Sequence, residues 1–132
     1  MILFETPRIE SEWRQVRLRP PLRMMALDAS VQAENRWRWP LMLTCIYRTP
    51  EEDRALGGHG VHPLWRALDV RTRDRDPLVV ADLAEHVNRL WIYDPTRPTY
   101  QVAIFEKDSP HGQHLHFQVH PNTTQRGAGE LT

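Results

Sequence analysis

Proline placement constrains this chain more than any other single feature. The ring fixes φ and removes a backbone donor, so proline is excluded from helix interiors and central strands. Eleven prolines in 132 residues therefore mark where elements begin and end. Pro20-Pro21 opens a helix, because proline is tolerated in the first turn. Leu22, Met25, Ala26, Ala29 and Ala33 then recur at helical spacing, and the pattern stops near Asn35. Pro40 precedes an apolar run, residues 41–47, that reads as a buried strand. Pro50, three acidic residues and Gly57-Gly58-His59-Gly60 read as a loop over residues 50–60.

Asp76-Pro77 supplies an N-cap and a first-turn proline for a second helix. Leu78, Val79, Leu83, Val87, Leu90 and Trp91 mark its apolar positions, and Asp94-Pro95 with Arg97-Pro98 breaks it. Residues 67–71 alternate apolar and charged positions and read as a short strand. Residues 100–105 and 114–119 read as strands joined by the turn residues Asp108-Ser109-Pro110-His111-Gly112. Residues 1–19 read as an extended lead-in with Trp13 packed inward, and residues 121–132 as a flexible polar tail. The expectation is one α+β domain over residues 1–120, a small antiparallel sheet with flanking helices.

Charge excludes some partners. Seventeen basic residues balance seventeen acidic ones, so no strong field favours nucleic acid or an anionic membrane. No stretch approaches transmembrane length, and residues 1–8 lack the features of a signal peptide. Synthesis in the cytoplasm is the expectation. The single cysteine, Cys45, permits no internal disulfide. It sits in the apolar run and reads as a buried, inert thiol.

The chemistry concentrates in His62, Asp69 and the pair His114-Leu115-His116. Zinc takes imidazole nitrogen and carboxylate oxygen readily, and a catalytic zinc keeps three protein ligands with a fourth position open. His62 and Asp69 offer two ligands if residues 62–69 form a loop entering a strand. Residues two apart on a strand face one side, so His114 and His116 address one site, and only one of them needs to bind metal. The other would work beside the metal. Among the remaining histidines, His59 reads as a loop surface residue and His86 as a packing residue on the second helix. His111 and His120 lie near the site's strand. Trp37 and Trp39 read as core aromatics.

These segments resemble a known family. Tyr47-Arg48-Thr49-Pro50-Glu51, Gly60-Val61-His62-Pro63-Leu64-Trp65-Arg66-Ala67-Leu68-Asp69 and His114-Leu115-His116 are similar to motifs of zinc peptidases of bacterial cell-wall metabolism. These are the D-Ala-D-Ala carboxypeptidases and L-Ala-D-Glu endopeptidases, which share a fold with the hedgehog signalling domain. Their first motif reads S-x-H-x-x-G-x-A-x-D. His62, Ala67 and Asp69 match it, while Gly60 stands for the serine and Trp65 for the glycine. The resemblance implies His62, Asp69 and His116 as zinc ligands. It implies His114 as the acid/base residue beside the metal, and Arg48 as the residue that steadies the substrate carbonyl and oxyanion. Branches of the family with E-x-x-H use glutamate as base; here that position is Gln113, which cannot accept a proton.

The implied activity is zinc-dependent hydrolysis of a peptide bond in the peptidoglycan stem peptide. The implied setting is a phage or prophage lysis factor, or a virion component, acting at the bacterial wall after release. The alternative is a non-catalytic zinc-containing binding or structural module on the same fold.

Overall fold

The computed structural model describes residues 1–109 and 112–127, which form an α+β domain. His111 lies outside the described residues, as do residues 128–132 of the expected tail.

The N-terminal nineteen residues are more ordered than an extended lead-in. Strand β1 (Ile2–Phe4) is followed by helix α1 (Pro7–Trp13), whose N-cap Thr6 accepts from the Ile9 amide. Helix α2 (Pro20–Trp37) runs past Asn35 and ends where Arg38 turns into the left-handed region at φ 54°. Strand β2 (Leu41–Cys45) follows.

The expected loop over residues 50–60 instead begins with helix α3 (Pro50–Ala55). Thr49 accepts from the Glu52 amide at 3.1 Å, and Glu52 accepts from the Thr49 amide at 2.9 Å. This reciprocal cap satisfies two otherwise free donors. Glu51, Glu52 and Asp53 crowd the first turn, where negative charge suits the positive end of the helix. The acidic run is therefore a helix start.

A single 3-10 turn (His62–Leu64) leads into strand β3 (Ala67–Arg71), which has the bounds read from the sequence. Helix α4 (Pro77–Leu90) opens at Asp76, whose carboxylate accepts from the Leu78 amide at 2.9 Å. Strands β4 (Trp91–Ile92), β5 (Ala103–Glu106), β6 (His114–Gln118) and β7 (Thr124–Gln125) complete the chain. β7 pairs with β4, so part of the segment read as a tail is hydrogen-bonded to the domain.

Five strands form one sheet in the order β1-β2-β3-β6-β5. The sheet is mixed, and the expectation of a purely antiparallel one is corrected at its edge: β1 runs parallel to β2, and the other pairs are antiparallel. The connection through α1 and α2 returns the chain to the sheet in the same direction, which a hairpin cannot do.

Alternation along the strands divides the sheet into two chemical faces. Leu43, Leu68, Val70, Leu115 and Phe117 face a core shared with Leu22, Met25 and Ala29 of α2 and Val80, Leu83 and Val87 of α4. Trp39 is buried in that core and Trp37 packs against it. Burying a large apolar side chain contributes about 1.5–3 kcal/mol, so this two-helix layer anchors the sheet. The opposite face carries Asp69, Arg71, His114, His116 and Glu106. No helix among the described residues is long and apolar enough to cross a membrane.

Candidate metal centre

Cross-strand pairing assembles the site. Asp69 on β3 pairs with His116 on β6, and Arg71 pairs with His114. On the far side of β6, Glu106 of β5 pairs with His114. Paired residues on neighbouring strands project to the same face, so these side chains must meet. His62 arrives from the 3-10 turn that immediately precedes β3.

Asp69 is the hub and is 3% exposed. Its Oδ1 accepts from His116 Nδ1 at 2.8 Å, and its Oδ2 lies 3.4 Å from His62 Nε2. His114 Nε2 is 3.9 Å from Oδ1. The His62 and His116 rings meet edge-on, with centroids 5.4 Å apart.

The three imidazoles are oriented alike. His62 Nδ1 donates to the Ile46 carbonyl at 2.8 Å, His114 Nδ1 to the Gly112 carbonyl at 2.9 Å, and His116 Nε2 to Gln118 Oε1 at 3.2 Å. Each ring thus spends one nitrogen on a neutral oxygen; His62 and His116 aim the other at Asp69, and His114 holds its Nε2 between Asp69 and the nearer Glu106. Metal-binding histidines are oriented in this way, because the outer hydrogen bond selects the tautomer that frees the ligating nitrogen.

Electrostatics follow from the geometry. Burial alone would raise the Asp69 carboxyl, but hydrogen bonds from His116 and His62 outweigh it and hold it well below the usual carboxylate range. Burial alone would lower His62, but hydrogen bonding to Asp69 and then Cys45 outweighs it, and the imidazole is pushed up to about 10. A cation is thus strongly favoured next to Asp69. In the metal-free protein that cation is a proton.

A buried His/Asp/His cluster that could hold a metal ion is therefore present. Among the described residues, two compact trios of ligand atoms share Asp69: Asp69 with His114 and His116, and Cys45 with His62 and Asp69. His62 and His116, the two histidines expected to share a metal with Asp69, lie on either side of its carboxylate and fall in different trios. The donors are imidazole nitrogens and a carboxylate oxygen, the set that zinc accepts.

Cys45 corrects the expectation of an inert core thiol. Its Sγ lies 3.6 Å from His62 Nδ1, and the residue is only partly buried. Plain alternation would put Cys45 on the core face with Leu41 and Leu43. The register shifts between Leu43 and Cys45, so Cys45 pairs with Asp69 and turns to the site face. Bulges re-aim side chains in this way.

Arg48 lies at the site. Its guanidinium is 3.4 Å from Asp69 Oδ2 and 3.2 Å from Oδ1 of the buried Asp53. Asp53 also accepts from the Gly60 amide at 2.9 Å, tying α3 to the loop before His62. Two residues escaped the sequence reading: Asp53, taken for loop polarity, and Glu106, whose Oε2 is 3.2 Å from His114 Nε2. Gln113 turns away and donates to the Thr72 carbonyl.

His59 is exposed on the rim, His86 binds Asp28 of α2 at 2.8 Å, and His120 binds Arg97 at 2.9 Å. None of the three belongs to the cluster.

The backbone accounts for one departure from the motif and runs against the other. Trp65 stands where the motif has glycine and adopts the left-handed conformation, φ 59°, that glycine favours. Its ring stacks on Tyr47 with centroids 4.7 Å apart. Gly60 stands where the motif has serine and sits at φ 86°, a conformation a serine would strain to reach.

No protein-family model and no curated protein matches the chain.

Proposed function

We propose that this chain is a zinc metallopeptidase that hydrolyses a peptide bond in the peptidoglycan stem peptide. One observation carries the reading: three imidazoles each have one nitrogen fixed by a neutral acceptor, two of them aim the other at one buried carboxylate, and the third stands beside it in a cleft. A purely structural cluster has no need of three rings with the same division of labour. His62, Asp69 and His116 would hold the ion. Zinc when bound supplies Lewis acidity near neutral pH.

The chain's own residues do the rest. Arg48, held in place by Asp53, offers guanidinium hydrogens to the substrate carbonyl, where charge develops in the transition state. Removing one such donor costs about 3–4 kcal/mol in well-studied cases. His114 presents Nε2 to the cleft beside Glu106 and exchanges a proton with the reacting peptide there. Glu106 keeps that ring oriented. Gln113 cannot serve as base, in agreement with its turn toward Thr72.

A second reading is a zinc-containing binding or structural module. The observation favouring it is Cys45, whose thiol forms a compact trio with His62 and Asp69 and so adds a fourth donor. Four protein ligands close a zinc site, whereas catalytic sites keep a position open. Incubation of the zinc-loaded protein with peptidoglycan fragments, followed by mass spectrometry, separates the two. The peptidase releases stem-peptide products, and Cys45→Ser retains zinc. Stoichiometric zinc without cleavage, lost in Cys45→Ser, would replace the first reading with the second.

A further inference from the structure

The space around the centre is a groove that continues on both sides of it. A cleft of about 540 Å3 on the α1 and α3 side shares Arg48, Asp69 and His114 with the central cleft of about 350 Å3. The central cleft shares His59, Ile104 and Gln118 with a third hollow of about 700 Å3 beside Tyr93 and Tyr100. Both ends are open to solvent: Arg73 is exposed at one and Tyr100 is half exposed at the other.

The ends differ in charge. At the first, Arg8 is committed to Glu12 and Glu52, and Arg48 to Asp53 and Asp69. Two arginines remain. Arg71 is held by a long ion pair to Asp74 at 3.8 Å and keeps a buried Nε without a partner. Arg73 makes no ion pair among the described residues. Glu5 is the opposing charge on that wall. At the other end the walls are the Tyr93 and Tyr100 rings, with Arg97 tied to Asp94.

An enzyme that removes a terminal residue needs the groove to end just past the reacting bond, where the terminal carboxylate is held. This groove does not end there. Hollows of about 540 and 700 Å3 leave room for peptide on both sides of the centre. We infer that an extended peptide lies along the whole groove, so that the bond addressed is internal, with a carboxylate of the peptide at the Arg71 and Arg73 end. The inference rests on the peptidase reading for what happens at the centre. It rests on the groove alone for how the peptide lies.

The test is binding of capped peptides to the zinc-loaded chain of 132 residues, followed by amide NMR. One probe is acetyl-L-Ala-γ-D-Glu-L-Lys-D-Ala-amide, which has no terminal charge and a free α-carboxylate on D-Glu. The other carries an amide in place of that carboxylate. The first probe is expected to shift amides at both Arg73 and Tyr100. Arg73→Glu is expected to weaken it roughly tenfold, with little effect on the second. Shifts at one end only, absence of binding without a free C-terminus, or equal loss for both probes overturns the inference. A peptide that binds at both ends and is not cut counts against the peptidase reading and leaves the groove assignment standing.

Discussion

Asp69 and His116 face each other directly across the β3–β6 ladder, and the His116 Nδ1 is 2.8 Å from Asp69 Oδ1. The contact brings a residue from the middle of the chain against one from the last fifth. It occupies the nitrogen that a metal would take. Metal and proton therefore compete for the same atoms.

That competition has a definite sign. His62 is pushed up to about 10 from an ordinary value of 6.5, so it is protonated at neutral pH in the metal-free protein. Zinc must displace that proton, and affinity rises with pH by up to about tenfold per unit. Isothermal titration at pH 7 in buffers of different ionisation enthalpy is expected to show at least one proton released per zinc. Binding with no proton release would remove His62 from the ligand set.

The same shifts govern stability without metal. The raised His62 contributes stability that is full below 6.5 and is lost as pH rises through about 10. The lowered Asp69 contributes above 3.8, its ordinary value, and that contribution is lost as pH falls through the folded value. Thermal midpoints of the chelated protein are expected to be highest between pH 3.8 and 6.5, where both contributions are full, and to fall on both sides. A flat profile up to pH 11 would contradict the His62–Asp69 pairing.

His114 and His116 are expected to separate in function. His116→Ala loses a contact to the hub and should lose zinc. His114→Ala should keep zinc and lose roughly 100-fold or more in turnover. Metal analysis beside peptide hydrolysis checks both, and loss of zinc from His114→Ala would move His114 into the ligand set.

Much of this was legible before any coordinates. The period-two spacing of His114 and His116, and the alternation over residues 67–71, place three site residues on facing strands, and the structure agrees. Cys45 was not legible, because a bulge is a register shift that alternation cannot reveal. Glu106 was not legible either, because its partner is chosen by strand order. The acids after Pro50 carry a helix signal that polarity alone obscures, although Thr49 and Glu52 stand at capping-box spacing.

Trp65 yields a reversal of the usual order of substitutions. Alanine normally stabilises relative to glycine, but at φ 59° an L-residue costs roughly 1 kcal/mol or more. Both Trp65→Ala and Trp65→Gly lose the stack on Tyr47, worth about 0.5–1.5 kcal/mol. Chemical denaturation is expected to find the glycine variant the more stable of the two by roughly 1 kcal/mol. The opposite order would mean that the backbone at 65 is not left-handed.

Gly58 guards Arg48 at one remove. A Cβ there would collide with the Asp53 carboxylate, and Asp53 holds both Arg48 and the Gly60 amide. Gly58→Ala is expected to cost about 1–3 kcal/mol of stability and to lower turnover while zinc content stays at one per chain. An unchanged melting temperature and unchanged turnover would show that Asp53 does not set the position of Arg48.

The most direct measurement is anomalous scattering at the zinc edge from crystals of the zinc-loaded protein. The account predicts one strong peak at Asp69, with His62 and His116 nitrogens about 2.0–2.1 Å away and His114 beyond that shell. A site with no peak at Asp69, under conditions where zinc is in excess, would contradict it.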